Sequence, residues 1–309
     1  MKYVYIGLRI LLGGIFIYSA YSKLFPVELF EYAFVNTGLV SWKLAPFAAR
    51  FFIGLEFLLG AWLIIGIALK KFTLKAVFIL LLLFCAYLLF LIFIKKENGN
   101  CGCFGTAVMM TPIQAILKNV ILLAAAYLLY VFPQEFAPQK IKWILPIALI
   151  SMVTAFAIPF IANPLNYKNS QSFAKDKVNY HPPLELLYAT EQDDPPKVDL
   201  NKGKWIVAFL SLSCPHCRIA AYKLNVMHNK NPGLPVYFVL NGLPKDLAPF
   251  YKATNAQKIP HNFFKGPKNF LKLVGPVYPV IFWLNNGIVE KKSTHIELDQ
   301  SEIEAWLAK

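Results

Sequence analysis

The fold of the C-terminal part of this chain is decided by residues 204–228, which read KWIVAFLSLSCPHCRIAAYKLNVMH. The apolar run 205–212 predicts a buried β-strand, and residues 218–228 have the pattern of an α-helix. Two cysteines, Cys214 and Cys217, lie at the junction in a C-x-x-C arrangement. A strand that turns into a helix at such a pair is typical of a redox-active dithiol, so this stretch predicts both a fold and a chemistry.

Further strand and helix patterns surround this stretch. The hairpin signal is the strongest, because Asn285-Asn286-Gly287 separates two short runs that are able to pair. The other predicted elements are a buried strand at 236–240, helices at 246–256 and 267–273, the hairpin strands at 280–284 and 288–292, and a closing helix at 301–307. This alternation predicts one α/β domain of the usual size over residues 198–309.

The composition is that of a membrane protein. Of the 309 residues, 57% are hydrophobic and only 16% are charged, whereas soluble domains have about a quarter charged residues. The stretches long enough to cross a bilayer as helices are residues 3–21, 47–69, 72–94, 111–132 and 141–161. The composition therefore excludes a disordered chain and a small disulfide-rich secreted fold, and it predicts several helices in contact with lipid.

The basic charge does not indicate a nucleic-acid partner. There are 13 basic and 5 acidic residues up to Ala162, and 18 and 12 beyond it, so the net charge of +14 is not gathered in one patch. Lysines at membrane flanks and anionic lipid headgroups account for this excess. All five histidines follow residue 180, which excludes a haem held by two histidines within the membrane.

The number of spans fixes which segments share a side of the membrane. With five spans, the loop after the third and the domain after the fifth lie on the same side, whichever way the chain is inserted. The distribution of lysine and arginine is too even to decide that direction. Because disulfide chemistry belongs outside the cytoplasm, we expect a bacterial inner-membrane protein with a cytoplasmic N-terminus and a periplasmic C-terminal domain.

The C-x-x-C pair predicts two thiols with different roles. Cys214 would sit at a helix N-terminus, where free backbone N–H groups and the helix dipole stabilise a thiolate. Pro215 suits the first helical turn, and His216 adds a positive charge that lowers the pKa of Cys214 further. Cys217 is then the resolving thiol. A zinc half-site or a structural disulfide are the alternatives, although no second pair of ligands stands at a suitable spacing.

A second cysteine pair lies in the loop after the third span, which reads NGNCGCFG over residues 98–105. A disulfide between Cys101 and Cys103 closes a tight ring, and strained disulfides are labile rather than structural. The alternatives are a soft-metal site, with copper(I) as the ion, and a merely permissive loop. Its position on the same side as the dithiol domain favours a redox role.

Three ionisable residues lie in or near the spans and are candidates for an intramembrane site: Arg9, Arg50 and Glu56. Glu56 is placed to pair with Arg9, to hold a quinone head group or to hold a proton. For Arg50 the alternative is that it snorkels to the interface. On the fourth span, polar side chains that would line the same interior are Gln114, Lys118 and Asn119.

Residues 198–309 resemble a thioredoxin-fold domain, and Cys214-Pro215-His216-Cys217 resembles the active-site sequence of DsbA-type oxidases. The stretch GPVYPVIF at 275–282 is similar to the thioredoxin segment with a cis-proline opposite the active site. The resemblance implies that Pro279 is cis and that Tyr278 presents its backbone to the partner chain; an ordinary strand-edge proline is the alternative. The chain departs from the pattern at Ala208, where these families carry a buried acid.

The membrane part has its own resemblance. The stretch SAYSKLF at 19–25 resembles the end of the first helix of DoxX-type proteins, while CGCFG at 101–105 and GLEFLLG at 54–60 resemble MauE of methylamine-utilisation clusters. This implies a four-helix bundle over residues 1–133, a fifth tethering helix over 134–163 and a linker over 164–197. The family implies a membrane partner in thiol redox chemistry or in the maturation of exported proteins.

These features together predict a membrane-bound thiol–disulfide oxidoreductase. Cys214 would exchange with thiols or disulfides of exported proteins, Cys217 would resolve, and Cys101 and Cys103 would exchange electrons with this dithiol. No covalently bound cofactor and no metal is expected, and a membrane quinone is the electron acceptor by analogy with DsbB and the vitamin K epoxide reductase family. The alternative is a non-catalytic accessory or metal-handling factor for an exported enzyme.

Overall fold

The computed structural model describes residues 2–97, 99–101, 109–132, 141–165 and 178–309. The chain divides into two compact units, Met1–Leu165 and Asn166–Lys309. The first unit is helical and the second is an α/β domain with a mixed sheet. The predicted architecture of a membrane helical bundle followed by an α/β domain is confirmed.

Apolar helices make up the first unit. They are α1 (Lys2–Leu24), α2 (Glu28–Asn36), α3 (Ala45–Ile65), α4 (Leu74–Phe90), α5 (Pro112–Val131) and α6 (Ile141–Ala162). Additional helical turns extend α4, so that its apolar stretch runs over Leu69–Lys95. Within the described residues, five of these helices are long and apolar enough to cross a membrane, as predicted. The short helix α2 was not predicted, because it has only nine residues and carries Glu28 and Glu31.

Helices α1 and α3 approach each other closely because glycines face each other at their crossing. A Cβ atom at Gly13 would lie 2.7 Å from the carbonyl oxygen of Gly60, and one at Gly60 would lie 2.8 Å from the carbonyl oxygen of Gly13. In lipid, helices gain stability from such close packing rather than from hydrophobic burial. The crossing therefore requires small residues at both positions.

Helix α6 is more than the tether that the sequence predicts, because it packs along α3. A Cβ atom at Gly54 would lie 2.6 Å from Cδ1 of Phe156, so the phenyl ring occupies the space that a side chain would need. The indole N–H of Trp62 donates a hydrogen bond to Ser151 Oγ at 2.9 Å. The fifth span is therefore a member of the helical bundle.

The second unit is a five-stranded sheet with helices on it. Its elements are β1 (Lys204–Ser211), α7 (Pro215–Lys230), β2 (Val236–Asn241), α8 (Leu247–Thr254), β3 (His261–Phe263), α9 (Pro267–Val274), β4 (Val280–Asn285), β5 (Ile288–Ser293) and α10 (Gln300–Leu307). The strand order is β3-β2-β1-β4-β5. Strands β1, β2 and β3 are parallel, and β4 is antiparallel to both β1 and β5. A parallel βαβ half joined to an antiparallel hairpin at the central β1 is the thioredoxin arrangement.

The hairpin prediction is confirmed in detail. Asn286 and Gly287 both have positive φ angles, +48° and +76°, which is the backbone that a two-residue hairpin turn requires. Strand β3 was not predicted, because three residues are too few to show a periodic pattern.

The predicted linker over 164–197 is wrong for its second part. Tyr180 forms an antiparallel bridge with Val289 of β5, and Leu184 and Leu187 are buried in the same apolar cluster as Phe209 of β1. The many prolines and acidic residues indicated an irregular connection, but the leucines among them anchor it to the domain. Residues 166–177 lie outside the described residues.

The glycine crossing of α1 and α3 gives a prediction with a matched control in the neighbouring residue. We expect Gly13→Ala to destabilise the membrane unit by roughly 1–3 kcal/mol, because the added methyl group meets a backbone carbonyl that cannot move aside. Gly14 has no atom within 4 Å of a Cβ position, so Gly14→Ala is expected to be neutral or slightly stabilising. Thermal unfolding of the purified full chain in detergent measures the difference. Equal melting temperatures for the two variants would contradict the close crossing.

Candidate functional site

The two cysteines of the C-x-x-C pair occupy different environments at the start of α7. Cys214 is the N-cap residue, and its sulfur accepts a hydrogen bond from the backbone N–H of Cys217 at 3.4 Å. Pro215 fills the first helical position, as predicted. Cys214 is half-buried, whereas Cys217 is fully buried. Both are free thiols. The structure thus presents one sulfur to the surface and encloses the other.

The electrostatics of the pair follow from this geometry. The pKa of Cys214 falls from 9.0 to about 6, because the Cys217 thiol and the backbone N–H groups of Cys217 and His216 donate to its thiolate and the His216 charge adds a further attraction. The pKa of Cys217 is raised, because its thiol is the donor to Cys214 and is buried. The sequence predicted a thiolate at Cys214 from the helix N-terminus, and the structure adds the Cys217 thiol as the larger cause.

A second histidine lies beside the dithiol and was missed by sequence reasoning. The rings of His216 and His295 stack with their centroids 6.1 Å apart. His295 is buried, and burial, Lys223 and His216 together lower its pKa to about 3, so its ring is neutral at physiological pH. The Lys223 ammonium group donates to the backbone carbonyl of His295 at 2.6 Å. The two residues are 72 positions apart, so no local pattern could have joined them.

The predicted proline has the peptide geometry that the resemblance implied, because the Tyr278–Pro279 bond is cis. Pro279 is buried, and the ring of Tyr278 stacks on Phe270 at 5.4 Å. Burial and, secondly, the charge of Cys217 raise the pKa of Tyr278. Val277, immediately before it, is exposed.

Ala208 occupies the position of the missing acid and fills it with a methyl group. It is fully buried in β1 and lies opposite Phe238 of β2 and Ile281 of β4. This position therefore offers no proton acceptor to Cys217. The neutral His295 ring is too weak a base to serve as one, since its pKa is near 3.

Of the loop cysteines, the structure describes Cys101, and Cys103 lies outside the described residues. Cys101 is 3% exposed and packs with Leu88, Leu91 and Ala115 between α4 and α5. Its backbone N–H donates to the carbonyl oxygen of Met110 at 3.0 Å, which closes the base of the loop. No local pattern predicts that the first cysteine of the pair points into the bundle.

Glu56 pairs with Lys23, and the predicted pairing with Arg9 is wrong. The Lys23 ammonium group lies 2.7 and 2.9 Å from the two carboxylate oxygens of Glu56, and both side chains are nearly inaccessible. Lys23 also donates to Ser19 Oγ at 2.6 Å, one turn earlier on α1. Arg9 instead donates to the carbonyl oxygen of Ile64. Lys23 lies in the last turn of α1 and faces α3.

Arg50 forms a second buried ion pair, so the interpretation that it snorkels to the interface is wrong. Its side chain is fully buried, and its Nη1 atom lies 2.7 Å from a carboxylate oxygen of Glu31 on α2. It also donates to the backbone carbonyls of Pro46 and Asn163, at 2.8 and 2.9 Å. A buried guanidinium group is tolerated where its donors are used in this way.

A cavity of about 420 Å³ lies within the first unit, beside these groups. Its wall includes Lys23, Glu56 and Cys101, together with Lys118 and Asn119 of α5. The prediction that Lys118 and Asn119 line the same interior as Glu56 is confirmed. Gln114, the third predicted member, instead forms a capping box with Thr111 at the start of α5.

Comparison with known proteins finds two similarities that include the membrane part. The family model described as "Methylamine utilisation protein MauE" matches residues 1–132. A curated relative, Protein TlpB of Flavobacterium psychrophilum, is 27% identical over 301 residues, an alignment that covers 83% of this chain and 82% of that protein.

Solved structures match the C-terminal part. A secreted disulfide oxidoreductase of Mycobacterium tuberculosis, described as homologous to DsbE of E. coli, is 14% identical with a TM-score of 0.29, over 34% of this chain and 81% of that one. The thioredoxin domain of a thiol-disulfide oxidoreductase from Bacteroides vulgatus is 18% identical with a TM-score of 0.31, over 35% and 82% of the two chains. StoA from Bacillus subtilis is 21% identical with a TM-score of 0.28, over 34% and 81%.

The sheet order, the position of the dithiol at the end of β1 and the buried Pro279 establish the fold of the second unit independently of these matches. Residues 1–132 match the MauE family model, and the chain continues into a thioredoxin-fold domain that carries the Cys214/Cys217 pair.

Proposed function

We propose that this protein is a membrane thiol–disulfide oxidoreductase that introduces disulfides into exported proteins. The observation that carries the proposal is the asymmetry of the dithiol: Cys214 is accessible with a pKa of about 6, whereas Cys217 is enclosed with a raised pKa. A low pKa stabilises the reduced form as its thiolate, which makes the corresponding disulfide a strong oxidant.

The reaction proceeds through a mixed disulfide at Cys214. A substrate thiolate attacks Cys214 Sγ, the Cys214–Cys217 bond breaks, and the released Cys217 takes up a proton. A second substrate thiolate then attacks the substrate sulfur of the mixed disulfide and expels Cys214. Because the pKa of Cys214 is low, it leaves readily as a thiolate. Two electrons and two protons have then passed from the substrate to the protein and its solvent.

The loop cysteines are the proposed route for reoxidation. The Cys214 thiolate attacks the Cys101–Cys103 disulfide, Cys217 resolves the mixed disulfide, and the loop pair is left as a dithiol. Because Cys101 is buried, we infer that the exchange takes place at Cys103 and that Cys101 is the leaving group. A membrane quinone then accepts the two electrons.

Topology supports this route. Two of the candidate spans separate the loop from the domain, so in this proposal both lie on one side of the membrane, and we infer from the disulfide chemistry that this side is outside the cytoplasm, with the N-terminus inside. The connection between the described parts is shorter than the sequence suggested, since only residues 166–177 separate them. Twelve residues span at most about 40 Å. This reach keeps the exchange intramolecular.

The first prediction of this proposal concerns the nucleophile. In a Cys217→Ser variant, Cys214 forms mixed disulfides that nothing resolves, so covalent adducts with exported proteins should accumulate in cells. Non-reducing electrophoresis and mass spectrometry of the purified chain identify them. The matched control is Cys214→Ser, in which the remaining thiol is buried and few adducts are expected. Comparable trapping by both variants would refute the assignment.

The second prediction concerns pH. Cys214 of the reduced full chain should be alkylated by iodoacetamide with a half-maximal rate near pH 6, because above that pH it is a thiolate. Cys217→Ala removes the thiol that donates to Cys214, so the midpoint should rise toward the ordinary value of about 8.5. Cys217→Ser keeps a donor and should shift it less. The rate is followed on the Cys214 peptide by mass spectrometry, and an identical midpoint in all three proteins would contradict the hydrogen bond.

The third prediction concerns the relay. The double variant Cys101→Ser, Cys217→Ser retains Cys103 and Cys214, and we expect it to accumulate an internal disulfide between them. The control, Cys103→Ser with Cys217→Ser, retains the buried Cys101 and should accumulate less. Peptide mapping under non-reducing conditions detects both products. If neither forms, and loss of the loop cysteines leaves the redox state of Cys214/Cys217 in cells unchanged, the two parts act separately.

A further inference from the structure

The dithiol chemistry leaves the cavity of the membrane unit unexplained. Its volume of about 420 Å³ lies in the range of small-molecule sites, about 300–1,000 Å³. Its wall includes six aromatic rings, those of Phe30, Phe34, Phe52, Phe84, Tyr87 and Phe90. Such a wall suits a flat aromatic ligand better than a lipid acyl chain.

A thiol and a buried ion pair lie on the same wall. Cys101 lines the cavity, so a ligand there lies beside the sulfur that leaves as a thiolate when Cys214 attacks the loop disulfide. Lys23 and Glu56 also line it, and the Lys23 ammonium group lies 5.5 Å from the ring centre of Phe30 and 5.6 Å from that of Phe84. The site therefore combines aromatic surfaces with a fixed, internally neutralised charge pair.

Asn119 supplies an independent sign of a ligand. Its side chain is 1% exposed and lines the cavity, yet its Oδ1 atom accepts no hydrogen bond from any residue in the part of the chain that the structure describes. A buried acceptor without a donor is costly, and buried polar groups are paired in most native structures. The missing partner must be a donor, such as a hydroxyl group on an aromatic ring.

The cavity also reaches the outer surface of the bundle. Leu83 and Ala86 of α4 line it, and both are exposed in the middle of a span, where the outer face contacts lipid. A ligand with a flat head group and a long apolar tail can enter there and leave its tail in the bilayer.

We propose that this cavity binds the head group of an isoprenoid quinone, which oxidises the loop pair; the assignment rests on the function proposed above. The Cys101 and Cys103 thiols lose two electrons and two protons as the bond between their sulfurs forms. The quinone takes up both, so that its two carbonyl oxygens become hydroxyl groups. Asn119 Oδ1 accepts a hydrogen bond from one of these hydroxyl groups, which favours the reduced product in the site.

The experiment uses the full chain in lipid nanodiscs, with menadiol as the binding probe and menadione as the oxidant. Anaerobic equilibrium dialysis of menadiol against empty nanodiscs gives specific binding, and differential alkylation gives the rate at which menadione oxidises Cys101. Removal of Lys23 or Glu56 is avoided, because an unpaired buried charge would unfold the bundle. The variants are Asn119→Leu, which removes the acceptor, and Ala86→Trp, which fills the cavity from its open edge. Ala124→Trp is the matched control, on an exposed position of α5 outside the cavity wall.

We expect saturable binding of menadiol whose Kd rises about tenfold in Asn119→Leu, the cost of one hydrogen bond to a buried group, and at least as much in Ala86→Trp. Ala124→Trp should bind as the wild type does. No saturable binding, or equal weakening by both tryptophans, contradicts the site. Exchange of Cys214 with a reduced peptide is measured on the same samples. Normal exchange without menadiol binding contradicts the cavity assignment alone, and binding without exchange contradicts the proposed function alone.

Discussion

The membrane unit depends on the requirement that a buried charge be paired. Lys23 and Glu56 join the end of α1 to the middle of α3, and Arg50 and Glu31 join α3 to α2. Each pair fixes the rotation of its helices, because an ammonium or guanidinium group without its carboxylate would be too costly in a lipid-like interior. The cavity lies between helices that these ion pairs hold in place. The positions of its polar lining residues therefore depend on the same ion pairs that fix the rotation of the helices.

In the thioredoxin-fold unit, the same requirement that a charge be stabilised applies to a sulfur atom. Backbone N–H groups at the start of α7 and the adjacent Cys217 thiol donate hydrogen bonds to Cys214. The Cys214 sulfur therefore carries a negative charge, whereas the Cys217 sulfur stays protonated. Ala208 removes the carboxylate that would otherwise take the proton of Cys217. Cys214 is therefore a partly accessible thiolate and Cys217 an enclosed thiol, and position 208 supplies no base for the proton of Cys217.

The features that the sequence predicted are those encoded locally. The strand-to-helix junction at Cys214, the hairpin at Asn286-Gly287 and the five apolar spans each need only neighbouring residues, and all are confirmed. The partner of Glu56 was mistaken because pairing between helices depends on their rotation, which a hydrophobic pattern does not fix. His295 escaped notice for the same reason, since only the folded sheet brings it to His216. Tyr180 and Leu184 were assigned to a linker because proline and acidic residues around them outweigh the few apolar ones.

The enclosure of Cys101 has a bearing on selectivity. Its sulfur is packed among Leu88, Leu91 and Ala115, and it opens on the interior of the bundle rather than on water. Small water-soluble thiols and peroxides therefore have no direct access to it. In the proposed relay, this packing separates the membrane oxidant from soluble reductants, because electrons would reach Cys101 only through the neighbouring cysteine of the same loop.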